Sequence, residues 1–404
     1  MHLGSVTNNF LNAVRDQSNI KGLTHCFYNY PARFSPIFVR EAIKAFSKAG
    51  DLIIDPFVGG GTTLVEAVML NRHCVGLDIS SLATFIANTK ITRLTLKEIN
   101  AIKAWSAQNI STLNPYFSLT TTPFWREQGY YKNVSNKSTW PIKNLIEHFL
   151  YLIQRGRFGV RQKNFLRCSI LKTGQWALDN KKIIPTANQF RKKLAENIQT
   201  MSYGALEFSN GLNTELNDIL SLCINKPSHE IDKIDILKTI KPPSLILTSP
   251  PYPGVHILYH RWQIKGRKET PAPFWISNCL DGHGLSHYAM GGRKEKGLET
   301  YYSNILKSFT SIRTICSPET LIVQMLAFSD PDWQLPKYLE TMNLAGFQEI
   351  QFAANRLWRR VPNRKWYVEN KNSIGTNKEV VLFHKINLTT VREDPLLGQA
   401  LRIP

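Results

Sequence analysis

The stretch DLIIDPFVGGGTTLVEAVMLNRHCVGLD, residues 51–78, decides the fold. Leu52 to Ile54 is a short apolar run that reads as a buried strand, and His73 to Leu77 reads as a second, ending at Asp78. Between them a glycine-rich turn, Asp55 to Thr63, leads into Thr62 to Leu70, where apolar residues fall at helical spacing and Thr62 is the candidate cap. Leu82 to Lys90 reads as the next helix, and Glu41 to Lys48 as a short amphipathic helix before the first strand. This β-α-β-α alternation implies an α/β fold with a parallel sheet and right-handed crossovers.

The alternation stops at about Arg93 and resumes at Leu245. The sheet is therefore expected in two pieces, 25–92 and 241–388, around a mainly helical insertion, 93–240. A third sheet strand is expected within the insertion near 230–236, ending at Asp232 or Asp235. Beyond Leu245, a helix is expected over Tyr301 to Cys316, a strand over Thr320 to Ala327, a helix over Leu335 to Ala345, and strands over Phe347 to Phe352 and Glu379 to His384.

The chain has 404 residues, enough for a sizeable core, and its 43% hydrophobic and 20% charged content is that of a globular protein. No apolar run is long enough to span a membrane, and the amino-terminal residues lack the pattern of a secretory signal. Six cysteines without a C-x-x-C pair argue against a zinc site or a disulfide framework and fit packing residues in a reducing, cytoplasmic compartment. No metal is expected; His256 and His260, four apart, lack a third ligand.

With 50 Lys and Arg against 30 Asp and Glu, the formal charge is +20, a balance that favours polyanionic partners. From Arg126 to Lys193 there are 15 basic and 3 acidic residues, interleaved with aromatics such as Trp140, Phe158 and Trp176. This region is expected to bind a nucleic acid, with Arg155, Arg157, Arg161 and Lys163 on phosphates. The basic and aromatic segment from Arg356 to Trp366 is the next candidate.

A glycine-rich strand-to-helix turn lets backbone amides approach a ligand closely. A phosphate-binding P-loop needs a lysine after the last glycine, but Thr62 and Thr63 follow Gly61. A dinucleotide fingerprint needs a third glycine where Leu64 stands. S-adenosylmethionine has no phosphate and does have a ribose. Asp78, 17 residues beyond Gly61 at the end of the next strand, suits its two hydroxyls, and Asp55 its methionine ammonium.

Far downstream, Leu245-Ile246-Leu247-Thr248 reads as a buried strand broken by Ser249-Pro250-Pro251-Tyr252. Such a turn fixes a hydroxyl, two carbonyls and a ring at the strand's carboxyl end, where open α/β sheets bind ligands. The exocyclic amino nitrogen of cytosine or adenine has its lone pair delocalised into the ring. Two acceptors, the Ser249 hydroxyl and the Pro250 carbonyl, would favour a pyramidal nitrogen, while Tyr252 offers a stacking face to an extruded base. No cysteine follows a proline, which disfavours carbon-5 methylation of cytosine.

Together the two turns resemble the signature pair of amino-methylating DNA methyltransferases of bacterial restriction–modification type, over about Tyr28 to Lys90 and Lys241 to His384. The resemblance implies a Rossmann-like, S-adenosylmethionine-dependent methyltransferase sheet with a target-recognition insertion. It implies cofactor contacts at Asp55, Phe57, Gly59, Gly61, Thr62, Thr63 and Asp78, and at Pro31 and Phe34 of a segment that closes over the methionine end. It implies Ser249, Pro250, Pro251 and Tyr252 as the catalytic turn, double-stranded DNA as substrate, and a cognate restriction endonuclease as functional partner. Ser-Pro-Pro-Tyr members are mostly cytosine-N4 enzymes, so cytosine is favoured over adenine N6. An RNA base methyltransferase and a non-catalytic DNA-binding protein are the alternatives of other classes.

Overall fold

A computed structural model describes residues 8–18, 22–30, 34–118, 123–212, 219–253, 261–266, 268–282, 285–292, 294–352, 355–361 and 378–388. Its strands are β1 (Leu52–Asp55), β2 (His73–Asp78), β3 (Ser221–Asn225), β4 (Leu245–Thr248), β5 (Trp262–Ile264), β6 (Lys268–Thr270), β7 (Leu321–Leu326), β8 (Phe347–Ile350), β9 (Leu357–Arg360) and β10 (Lys378–Ile386). The main sheet runs β3-β2-β1-β4-β7-β10-β8. Its first five strands are parallel, and β10 is antiparallel to both β7 and β8. Apart from the inserted β10, this is the doubly wound order, with the chain reversing direction across the sheet at β1 and β4. The sheet is Rossmann-like.

Burial explains which strands could be read from sequence. β1, β4 and β7 are buried at every residue and are apolar apart from Asp55, Thr248 and Gln324, as suits central parallel strands covered on both faces. β3 is an edge strand with only Cys223 fully buried, so SLCIN needs no such run. The expected strand near 230–236 is thus corrected: the third strand lies at Ser221–Asn225. Ser228–Lys233 is a 3-10 turn and Asp235–Thr239 a short helix. Asp232 accepts from the Ser311 hydroxyl at 2.8 Å instead of ending a strand.

The helices are α1 (Asn8–Arg15), α2 (Pro36–Phe46), α3 (Thr62–Met69), α4 (Ser81–Ile91), α5 (Leu96–Ile110), α6 (Pro123–Glu127), α7 (Trp140–Arg155), α8 (Val160–Leu178), α9 (Ala187–Gly211), α10 (Asp235–Thr239), α11 (Ala272–Ser277), α12 (Glu295–Arg313) and α13 (Pro331–Leu344). α2 begins five residues before the expected Glu41, because Ser35 caps it through the Phe38 amide and Pro36 supplies a preset first turn. α12 and α13 likewise start earlier than the apolar pattern suggests, α13 with a proline in its first turn.

Three apolar cores result. One packs α2 and α3 on one sheet face, and a second packs α12 and α13 on the other. The third joins α5, α7, α8 and α9 to Leu82 and Ile86 of α4 and to Phe27 and Tyr28. Helix directions follow from hydrogen bonds. Arg161 at the start of α8 reaches the Arg93 carbonyl and Glu98 in the first turn of α5. Ser209 at the end of α9 reaches the Leu94 carbonyl, and Arg191 near its start reaches the Leu113 carbonyl past the end of α5. The insertion is therefore an antiparallel bundle, with α5 and α8 pointing one way and α9 the other.

Candidate cofactor and catalytic site

The glycine turn leaves β1 at Asp55 and enters α3 at Thr62. Gly59 and Gly61 both hold positive φ, 46° and 77°, a region that side chains other than glycine enter at a cost. Gly61 is the N-cap residue, so Thr62 is the first helical residue and not the cap. The Tyr30 ring lies over Gly59, 3.4 Å from where a Cβ would stand. Beneath the turn, Lys90 of α4 is buried and donates to the Gly60 carbonyl at 2.6 Å. A lysine in that place braces the backbone from behind, where it cannot clamp a phosphate.

Asp78, half-buried at the end of β2, accepts from the Gly59 amide at 2.9 Å and the Ser80 amide at 2.8 Å. Burial pushes its pKa up to about 6 against those two hydrogen bonds, and the neighbouring charge of Asp55 raises it further. The carboxylate is thus fixed against the glycine turn.

Asp55 ends β1. It is 2% exposed. One oxygen accepts from Thr63 Oγ1 at 2.6 Å; the other accepts from Thr248 Oγ1 at 2.7 Å and the Phe57 amide at 3.2 Å. Burial holds its pKa at about 6 despite these donors. Asp55 fastens the end of β1 to α3 and to the last residue of β4. Thr62 and Thr63 are buried as well, and Phe34 packs on Phe38 with ring centroids 5.6 Å apart. Phe57 is half-buried, and Pro31 lies outside the described residues.

Behind α3 lies a further clamp that no sequence motif signals. Glu66, wholly buried, accepts from His25 at 2.8 Å and from Arg40 at 2.8 and 3.1 Å. Its burial opposes ionisation, yet these partners hold its pKa below the ordinary value.

One residue beyond Thr248 the Ser-Pro-Pro-Tyr turn begins. The Ser249 hydroxyl donates to the Met325 carbonyl of β7 at 3.0 Å, with the Tyr252 hydroxyl farther off at 3.4 Å. With its proton directed to a carbonyl, the oxygen retains lone pairs for donors such as amino hydrogens. Pro250 is buried, whereas Pro251 and Tyr252 are half-buried. Tyr252 donates to Glu379 of β10 at 2.8 Å, and Glu379 is paired on its other oxygen with Arg359 of β9. Glu379 and Arg359 thereby anchor the ring. Neither stands out in sequence, although Arg359 belongs to the basic segment singled out there. The rest of that segment, 362–366, lies outside the described residues, as do His256 and His260.

The four basic residues expected on DNA cluster at the α7–α8 turn. Arg155 sits over the Tyr151 ring at 4.8 Å, Arg161 is paired with Glu98, Lys163 reaches the Gln154 carbonyl, and Arg157 is exposed. The structure does not bring them to the two turns. Among the described residues no cluster of three or more His, Cys, Asp or Glu could hold a metal, and no helix is long and apolar enough to cross a membrane.

Residues 5–88 match the family described as DNA methylase. A type II methyltransferase of Methanocaldococcus jannaschii is 35% identical over 78 residues, 19% of this chain and 15% of the relative. A type II methyltransferase of Geobacillus stearothermophilus is 26% identical over 267 residues, 58% of this chain and 50% of the relative. A DNA adenine methyltransferase of Escherichia coli is 24% identical over 98 residues, 24% of this chain and 31% of the relative. The chain spans half or less of the length of each of these relatives. Among solved structures, an rRNA methyltransferase of Streptomyces viridochromogenes aligns over 98% of both chains at 10% identity with a TM-score of 0.32. Residues 5–88, which hold the glycine turn and Asp78, are thus similar to the DNA methylase family and to type II methyltransferases.

Proposed function

We propose that this chain transfers the methyl group of S-adenosylmethionine to the exocyclic amino nitrogen of a base flipped out of double-stranded DNA, cytosine N4 in preference to adenine N6. One observation carries the reading. The glycine turn and the Ser-Pro-Pro-Tyr turn leave neighbouring parallel strands, β1 and β4, and are fastened side by side by Asp55 through Thr63 and Thr248. The residues fit the cofactor: a glycine-lined backbone, a fixed carboxylate at Asp78 for the ribose, and no lysine aimed at a phosphate. Bound there, S-adenosylmethionine would supply an electrophilic methyl group on a sulfonium.

The chain's own residues do the rest by alignment. Ser249 Oγ and the Pro250 carbonyl accept the two amino hydrogens, and Tyr252 holds the base face. The nitrogen turns acidic on methylation, so its proton leaves to water without a strong base. Sequencing DNA from cells expressing the chain, with detection of modified bases, tests the reading. N4-methylcytosine at one recurring sequence supports it, N6-methyladenine supports the second reading, and unmodified DNA contradicts both.

Two variants separate the parts of this site. Ionised Asp78 is the better acceptor for ribose hydroxyls, and its pKa is held at about 6. Cofactor affinity should therefore decline as pH falls through about 6, and Asp78→Asn should flatten that decline. Asp78→Ala forfeits a charge-assisted hydrogen bond of about 1.5–3 kcal/mol, tenfold or more in affinity. Equilibrium cofactor binding at neutral pH checks this, and wild-type affinity in a folded variant removes Asp78 from the site. Glu379→Gln, which keeps the shape but loses the charge that Arg359 and Tyr252 share, should slow single-turnover transfer about tenfold with cofactor affinity unchanged. An unchanged rate would reduce the Glu379–Arg359 pair to a packing role.

A further inference from the structure

The bundle carries exposed basic residues at both ends, and helix direction decides which end faces the site. α4 starts three residues after Asp78, at the carboxyl edge of the sheet, and runs back along it for 11 residues to Ile91, about 16 Å. Arg161, bonded to the Arg93 carbonyl just beyond α4, therefore lies toward the amino edge of the strands. From there α8 runs 19 residues in the opposite sense, so its far end is about 28 Å away. That end meets the cofactor side of the molecule. Lys172 donates to the Cys26 carbonyl at 2.6 Å and Gln175 to the Asn29 carbonyl at 3.0 Å, and the next residue, Tyr30, covers Gly59.

At this end, between α8 and α9, lies a cavity of about 430 Å³ lined by Trp176, Lys181, Ile183, Lys192, Lys193 and Glu196, among others. The ammonium groups of Lys181 and Lys193 stand 5.9 and 6.0 Å from the Trp176 ring centre. Glu196 pairs with Lys193 at 3.0 Å, which leaves Lys181 and Lys192, with the adjoining exposed Lys182, as excess positive charge. Ile183 is 86% exposed beside them. Several other basic residues in the bundle are tied inward: Lys143 to Glu147, Arg167 to the Ile276 carbonyl and Arg191 to the Leu113 carbonyl.

We propose that this Trp176 cleft and its lysines form the phosphate-binding surface that seats duplex DNA beside the catalytic turn, in place of the Arg155–Lys163 cluster. The inference rests on the methyltransferase reading. Lysines bind phosphates as point charges and release counterions, while an aromatic face and an exposed isoleucine suit sugars and partly unstacked bases.

The experiment compares two variants of the full chain, binding a duplex that carries the site modified in cells. In Lys181→Gln/Lys182→Gln/Lys192→Gln/Lys193→Gln, duplex affinity should fall at least tenfold at low salt. The slope of log affinity against log salt should flatten by about 0.9 for each phosphate no longer neutralised. Arg155→Gln/Arg157→Gln/Arg161→Gln/Lys163→Gln should leave both near wild type, and S-adenosylmethionine affinity should be unchanged in either. Trp176→Ala adds a milder variant that keeps the charge and should weaken binding by severalfold. Wild-type affinity and slope in the lysine variant, or the loss appearing in the arginine variant instead, overturns the assignment. A wild-type chain that binds cofactor but no duplex overturns the DNA reading itself and this proposal with it.

Discussion

Ser249→Ala should slow single-turnover methyl transfer about a hundredfold while leaving S-adenosylmethionine affinity unchanged. The serine lies at the end of a strand buried at every residue, and its proton is directed to the Met325 carbonyl. Its oxygen is thus positioned as an acceptor by the sheet and not by a mobile loop. An alanine there removes one of two acceptors for the amino hydrogens and lets the nitrogen relax toward its planar, conjugated geometry, in which the lone pair is withheld from the methyl group. Tyr252→Ala acts on the base instead, forfeiting stacking of about 1–3 kcal/mol. Rapid-quench transfer under saturating cofactor separates the two. Wild-type rates in both variants would remove the catalytic assignment from this turn.

Asp55→Ala should lower the unfolding free energy by about 3 kcal/mol and weaken cofactor binding along with it. Three donors, the hydroxyls of Thr63 and Thr248 and the Phe57 amide, are left without their acceptor. Each buried group left unsatisfied costs about 1–3 kcal/mol, and relief of a desolvated carboxylate offsets part of the sum. Asp55→Asn, which keeps one carbonyl acceptor, should lose about half as much. Denaturant unfolding of the three proteins checks the order. An alanine variant as stable as wild type, still binding cofactor, would show that the two turns are held in place without this carboxylate.

The division between what is legible in the sequence and what is not follows physical lines. β1, β2, β4, β7 and β10 announce themselves because central strands must be apolar nearly throughout, and the glycine turn because its φ angles demand glycine. β3 is hidden, since an edge strand with half-exposed residues has no such run. The partners of Asp55 are hidden because a carboxylate on a strand-end turn looks the same in sequence whether or not two threonines meet it. One of those, Thr248, lies 193 residues away in sequence. Glu379 reads only as the polar start of EVVLFH; the pairing of β10 with β7 and β9 is what brings it under Tyr252. The charge of the insertion is plain from composition, but its two basic clusters, at Arg155–Lys163 and Lys181–Lys193, are alike in sequence. What separates them is the direction in which α8 runs.

We propose that the two turns form one site for methylating an exocyclic amino group of DNA. Incubation of the purified chain with methyl-labelled S-adenosylmethionine and either duplex DNA or tRNA, followed by nucleoside analysis, tests it most directly. Label is expected in duplex DNA as N4-methylcytosine, or as N6-methyladenine under the second reading, and none in tRNA. Label recovered in tRNA, label as 5-methylcytosine, or cofactor binding without transfer to either nucleic acid would contradict it.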